Sequence, residues 1–291
     1  MAEWDAEVVV DETLVHALLI EQFPELDARS ARFLGEGWDN SVWVVEERWA
    51  FRFPRREIAI PGVERELGLL PLLAALLPVA IPEPRFVGAP GDRFPWPFFG
   101  APLLAGVEPA DAELDDDARI EVGAGLGRFL RVLHGIELDV DLPLDPLGRG
   151  DVARQLTMAR EQFDTNELKA ASALFERAAG LGPPTDAVLV HGDLHLRHVL
   201  VERGALSGVI DWGDGCFGDP SVDLQIAWSL LPIEARAAFF DAYGPIDDDR
   251  RLRARVLAAR LCAMLAKYAR SVAYASLERE AVAGFERALV D

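Results

Sequence analysis

An α+β protein in two parts is what this sequence predicts: a first part rich in short strands, and a larger, mostly helical part with a few strands at its centre. Three observations predict it. β-Branched and aromatic runs separated by turn residues crowd residues 32–53. After Gly106 apolar residues recur at helical spacing. Between residues 188 and 211, three short apolar runs joined by polar loops interrupt that helical pattern. The length of 291 residues is about two domains' worth at roughly 100–200 residues each. Hydrophobic and charged fractions of 51% and 27% are those of a folded globular chain.

Taken in order, Asp11 precedes Leu14, Val15, Leu18 and Leu19, which share one helical face, with Asp11 or Thr13 as N-cap and an end near Pro24. Arg32–Leu34, Ser41–Val45 and Trp49–Phe53 read as strands, divided by Gly35-Glu36-Gly37 and by the charged turn Glu46-Glu47-Arg48. A helix from about Gly62 to Leu77 follows, then a proline-rich extended stretch from Pro78 to Pro102. Asp115, Asp116 and Asp117 open a helix whose Ile120, Leu126, Phe129, Leu130 and Leu133 form an apolar stripe. Val188–Val190, Val199–Val201 and Gly208–Asp211 are the central strands. Helices resume from Pro220, one of them over Leu252–Tyr268 with an arginine-rich outer face. The boundary falls near Ala105-Gly106, dividing the chain into 1–104 and 105–291.

Charge narrows the partners. With 29 Lys+Arg against 49 Asp+Glu the formal balance is −20, which repels nucleic-acid backbones and anionic membranes and suits a cationic or neutral small molecule. Two cysteines, Cys216 and Cys262, are too few for a disulfide framework and fit a reducing cytoplasm. The start, Met1-Ala-Glu-Trp-Asp5, is acidic where a secretory signal is basic. The most lipid-like stretch, Leu67–Pro82, is too short to span a bilayer and carries three prolines. Only Lys169 and Lys267 are lysines, so any cation needed before residue 169 is an arginine.

The densest polar constellation is His191-Gly-Asp193-Leu-His195-Leu-Arg-His198, followed by Asp211-Trp-Gly-Asp214. Three of the five histidines fall within eight residues, a spacing that also admits a zinc site, although apolar flanks make this a strand–loop–strand. A loop Asp, a metal ligand five residues on and a further Asp at the end of the next strand instead match phosphoryl transfer. That reaction needs a base to orient a hydroxyl and ligands to hold a divalent ion on the phosphates.

These blocks, "HGDLHLRHVLV" and "GVIDWGDGCFGDPSVDL", with "GEGWDNSVWVV", "FRFPRR" and "ERELGLLPLLA" before them, resemble the aminoglycoside phosphotransferase family of kinase-like enzymes. The 2″-phosphotransferase and macrolide-kinase branches are the most similar in motif. The resemblance implies a bilobal protein-kinase-like fold, with a nucleotide-binding lobe over 1–104 and a helical lobe carrying catalytic loop, metal and acceptor over 105–291. It implies ATP or GTP as phosphate donor, Mg²⁺ or Mn²⁺ as metal, and antibiotic resistance as one role. Asp193 matches the family's base and Asp211 its metal carboxylate. His198 stands where most members have Asn. Gly35, Gly37, Asn40 and Ser41 match the phosphate-covering loop. Arg52 stands where a lysine meets the phosphates, with Arg55 and Arg56 competing, and Glu66 or Glu64 as its partner. Pro102 and Leu104 end the hinge that meets the base.

The remaining candidates are weighed from residue type. Asp214, Glu234, Asp241 and the run Asp247–Asp249 are acceptor contacts if the substrate is a cationic aminoglycoside, and solvated surface otherwise. Asp219 and Asp223 are read as structural anchors, His191 and His195 as hydrogen-bonded loop supports, and His134 and Cys216 as buried. A macrolide or a metabolic alcohol, a catalytically weak regulatory module, and a zinc hydrolase built on His191, His195 and His198 are the competing readings.

Overall fold

The computed structural model describes residues 6–37 and 39–290; the acidic start Met1–Asp5 and Trp38 of the glycine-bearing turn lie outside the described residues. It divides into two compact units, Met1–Leu76 with Ala80–Leu104, and Leu77–Val79 with Ala105–Asp291.

In the first unit α1 (Glu12–Gln22) starts where Asp11 accepts a hydrogen bond from Leu14 N, satisfying one of the helix's orphan donors. Strands β1 (Arg32–Glu36), β2 (Asn40–Val45), β3 (Trp49–Pro54), β4 (Phe86–Gly88) and β5 (Phe98–Pro102) form one antiparallel sheet in the order β1-β2-β3-β5-β4. Helix α2 (Ile60–Leu73) begins earlier than expected because Pro61 fits the first turn, where its missing N–H costs nothing. It also ends earlier, at a turn in which Leu76 N donates to Leu73 O ahead of Pro78. Phe51 and Phe53 of β3 pack with Phe23, Phe94, Phe98 and the buried face of α1; Phe53 and Phe98 stack at 4.7 Å. Strand alternation turns Arg52 to the opposite face of β3.

The second unit holds α3 (Asp116–Leu133), α4 (Val152–Gln162), α5 (Thr165–Ala178), β6 (Val188–Val190), β7 (Val199–Glu202), β8 (Ala205–Val209), β9 (Cys216–Gly218), α6 (Ser221–Leu224), α7 (Ile226–Ser229), α8 (Ile233–Tyr243), α9 (Asp248–Ser271) and α10 (Ala275–Leu289). Helix α3 lies against α8 where Gly123 and Gly127 meet the carbonyls of Ala235 and Phe239; any β-carbon there collides with backbone. β6 pairs with β9 and β7 with β8, both antiparallel.

Three expectations need correction. The central strands number four among the described residues, because Cys216-Phe-Gly218 is too short to show a pattern before β6 claims it as a partner. Asp211 is not on a strand: pairing of β8 ends at Val209, and the Trp212 indole turns back to donate to Val209 O at 3.0 Å. The arginines of α9 are not all outward. Arg253 and Arg255 are 5% and 2% exposed. Arg255 donates to Ala288 O at 3.0 Å and Leu289 O at 2.9 Å, supplying donors to the orphan carbonyls at the end of α10. Arg253 donates to Gly150 O and Gly182 O. No described helix is long and apolar enough to cross a membrane.

Candidate active site

In the first unit the sequence-predicted cation and its partners come together. Arg52 Nη1 donates to Glu66 Oε1 at 3.0 Å. Asn40, with its amide oxygen turned to the guanidinium, accepts from Nη2 at 2.9 Å and Nε at 3.1 Å. Glu66 is fully buried in α2, so the pair is shielded and the fork geometrically fixed. Arg55 and Arg56, the competing candidates, serve the glycine turn: Arg55 donates to Gly37 O and pairs with Glu36, while Arg56 binds the Asp39 carboxylate. Gly37 N donates to Asn40 O, and Gly35 sits at a register shift between β1 and β2. Ser41 is buried and its hydroxyl accepts from the Trp43 indole. Pro102 stands opposite Trp49 at the end of β5, and Leu103 N donates to Arg48 O just before Leu104.

In the second unit the loop after β6 is pinned from below. Asp223 in α6 accepts from His191 N at 2.7 Å and Gly192 N at 3.1 Å, and His134 Nε2 reaches the same carboxylate at 3.1 Å. Gly192 has φ +87, and a β-carbon there runs into the Asp214 carbonyl, so conformation and space both demand glycine. His191 Nε2 faces the Ile210 carbonyl at 3.0 Å and must donate, while its Nδ1 accepts from Asp193 N at 3.2 Å. Burial pushes its basicity below the ordinary histidine value. With both nitrogens committed, His191 is a support for the loop, and the Asp193 side chain is left 31% exposed at its tip.

The same tautomer logic reads the metal candidates. His198 Nδ1 lies 2.8 Å from the Asp193 carbonyl and must donate to it, so in the neutral ring the Nε2 lone pair is outward, 3.4 Å from Asp211 Oδ2. A lone pair and a carboxylate facing each other at that distance suit a divalent cation between them. One imidazole nitrogen with one carboxylate fits Mn²⁺ well and Mg²⁺ acceptably. Asp211 is delivered with φ +65, a strained value for a non-glycine residue of the kind that clusters at functional sites.

Asp193, His195 and His198 also cluster closely enough to suggest a metal. However, His195 Nδ1 accepts from Arg197 N at 3.2 Å, which places its proton on Nε2, 3.6 Å from Asp193 Oδ2. Both rings therefore turn an N–H, not a lone pair, toward Asp193, and His191 is committed elsewhere. The three-histidine zinc arrangement is not what the fold builds. Burial foremost holds His195 well below the ordinary value; its ring stacks on that of His198 at 3.7 Å.

A residue that sequence reasoning missed completes the cluster. Arg149 Nη2 lies 3.0 Å from Asp193 Oδ1 and 2.7 Å from Asp214 Oδ2, and its Nη1 donates to Gly192 O. The loop carrying it is tied down: Asp145, at φ +35, accepts from Arg149 N and Gly150 N at 2.8 Å each, and its own N–H donates to Phe217 O of β9. Burial works against the Arg149 cation, but Asp193 and Asp214 outweigh it and hold the guanidinium above its ordinary value. The local signal was "DPLGRGD", an evident turn, yet nothing in it says which distant carboxylates its arginine meets.

The other acidic candidates separate from this group. Glu234 and Asp241 are exposed on α8, and Asp247 caps α9 by accepting from Arg250 N. Asp219 accepts from Ser221 N at the start of α6, and the Cys216 thiol is pushed up to about 12, by burial first. His134 is buried between Asp223 and the Tyr243 hydroxyl.

Residues 30–255 match the phosphotransferase enzyme family. An uncharacterized protein of Bacillus subtilis (strain 168), YcbJ, is 24% identical over 212 residues, which is 67% of each chain. Among solved structures, the GDP and kanamycin complex of APH(2″)-IIIa matches with a TM-score of 0.73 at 23% identity, over 94% of this chain and 97% of that one. The macrolide 2′-phosphotransferase MphH from Brachybacterium faecium matches with a TM-score of 0.66 at 23% identity, over the same shares. At such identity the likeness is one of fold, and it is the α+β kinase-like fold expected from the motifs.

Proposed function

We propose, from the premise that the chain belongs to the phosphotransferase enzyme family, that it moves the γ-phosphate of ATP or GTP to a hydroxyl of a small molecule. One observation carries the reading. The loop after β6 holds Asp193 as a part-exposed carboxylate, and the same loop's His198 turns a nitrogen lone pair toward Asp211.

In this reading Asp193 accepts the hydroxyl proton as the acceptor attacks, with Oδ2 as the basic oxygen because Oδ1 faces Arg149. His195 Nε2 and His198 Nδ1 lie on the Oδ2 side at 3.6 and 3.7 Å, beyond hydrogen-bond reach, and the His198 Nδ1–H is given to the Asp193 carbonyl. His198 and Asp211 hold the divalent ion. When bound, that ion offsets the negative charge of the β- and γ-phosphates. Arg52, aimed by Glu66 and Asn40, binds phosphate oxygens.

For the acceptor, the balance of −20 and the kanamycin in a neighbour of like fold make an aminoglycoside the first compound to try, with macrolides and metabolic alcohols beside it. The test is mass spectrometry of pooled compounds incubated with the protein, ATP or GTP, and Mg²⁺ or Mn²⁺. A compound that gains a phosphate with the native chain, and not with chelator or with Asp211→Ala, supports the reading. Phosphorylation that persists undiminished in Asp211→Ala removes Asp211 from the metal site.

A further inference from the structure

We infer that Arg149 is a positioning residue for the transfer step: it fastens Asp193 by Oδ1, leaving Oδ2 as the oxygen offered to the acceptor hydroxyl, and it ties the loop that carries the base to the turn that begins at Asp211. The inference rests on the phosphotransfer reading above and adds to it a residue that the motifs do not supply.

The backbone of Asp193 is fixed before its side chain is. Its N–H donates to His191 Nδ1 at 3.2 Å, and its carbonyl accepts from His198 Nδ1 at 2.8 Å. The carboxylate beyond that backbone turns about an sp³–sp² bond, a broad torsion with no steep preference of its own. A base that must meet one hydroxyl therefore needs a partner that sets where its two oxygens lie. His195 Nε2 and His198 Nδ1, at 3.6 and 3.7 Å from Oδ2, are too far to hydrogen-bond it. Among the described residues the closest cation to this carboxylate is Arg149, whose Nη2 lies 3.0 Å from Oδ1.

Arg149 is itself held. The same Nη2 lies 2.7 Å from Asp214 Oδ2, and Nη1 donates to Gly192 O. Two carboxylates this near one nitrogen repel each other unless a cation stands between them. Asp214 lies in the short turn that Gly215 N closes on Trp212 O at 2.9 Å, immediately after Asp211, and its carbonyl packs against Gly192. One side chain thus spans the base, the backbone of its loop and the turn that bears the metal carboxylate. Behind it Asp145 accepts from Arg149 N and Gly150 N, and the buried Arg253 of α9 donates to Gly150 O. The guanidinium is 26% exposed and both its carboxylate partners about a third, so its loss loosens the base more than the fold.

The experiment compares the native chain with Arg149→Gln and Arg149→Met by steady-state kinetics on the acceptor that the pooled compounds reveal, with ATP or GTP and Mn²⁺, and by urea unfolding to establish that each variant is folded in the assay. In folded variants kcat is expected to fall by at least about tenfold while KM for nucleotide and for acceptor stays within about twofold, the pattern of a base held out of line with substrates still bound. Native or faster turnover, or a KM change as large as the kcat change, overturns the inference. Should neither variant fold, or no pooled compound react, a crystal structure of the native chain with ADP or GDP and Mn²⁺ decides. Arg149 Nη2 is expected there beside both Asp193 Oδ1 and Asp214, and a guanidinium turned away from Asp193 overturns the inference. A native chain that binds neither ATP nor GTP instead defeats the phosphotransfer reading itself, so the two failures are distinct.

Discussion

Two arginines in this chain each meet carboxylates at about 3 Å, and their surroundings make them different devices. Arg52 sits on a strand, meets a Glu66 that is wholly buried, and is gripped again by Asn40. Arg149 sits on a loop, 26% exposed, and bridges two carboxylates that are each about a third exposed. Burial removes water as an alternative partner, so the first contact is a fixture of the fold. The second can exchange partners with solvent or substrate. A fixed cation suits the phosphate contact proposed for Arg52, whereas Arg149, beside the proposed base, keeps partners that water can reach.

That contrast predicts stabilities first. Glu66→Ala leaves Arg52 partly buried beside a cavity without its carboxylate, and a loss of about 3–5 kcal/mol is expected from urea unfolding. A loss below 1 kcal/mol by the same measurement would mean that water already reaches the pair. Arg149→Gln is expected to cost no more than about 1 kcal/mol, because its partners regain water. A cost equal to that of Glu66→Ala would erase the distinction between the two arginines.

The smallest effect concerns pH and sharpens the account of the loop beneath Asp193. His191 is held by burial below its ordinary value of 6.5, with His198 adding to the effect and Asp223 opposing it. Between the folded and unfolded values the unfolded chain binds a proton that the folded chain does not. Stability from this group is therefore complete above pH 6.5 and declines as pH falls below it. Urea midpoints measured downward from neutral pH should fall steadily. A midpoint that holds or rises just below pH 6.5 would contradict a neutral, doubly committed His191.

Much of this was legible from local rules. Asp11 and Asp115 cap α1 and α3 as their spacing from apolar stripes requires. Strand alternation put Arg52 on the face opposite Phe51 and Phe53, and Glu66 rather than Glu64 proves to be its partner. The order Asp193, His198, Asp211, on which the proposed chemistry rests, stands in the sequence itself. What stayed hidden depends on contacts distant in sequence. Arg149 reaches Asp193 only because Asp145 adopts a left-handed backbone and ties to β9, a strand too short to foresee. Arg253 and Arg255 read as surface residues because their true partners are backbone carbonyls, which leave no mark in a pattern of side chains.

The central claim is that Asp193 serves the transfer step and not the nucleotide. Its most direct test is Asp193→Ala, assayed for nucleotide affinity and for phosphate transfer to whichever acceptor the pooled compounds reveal. The account predicts nucleotide affinity within about twofold of the native chain, while transfer falls by at least about a hundredfold, the usual range for loss of a general base. Transfer that survives at native rate, or a loss of nucleotide binding equal to the loss of transfer, would contradict it.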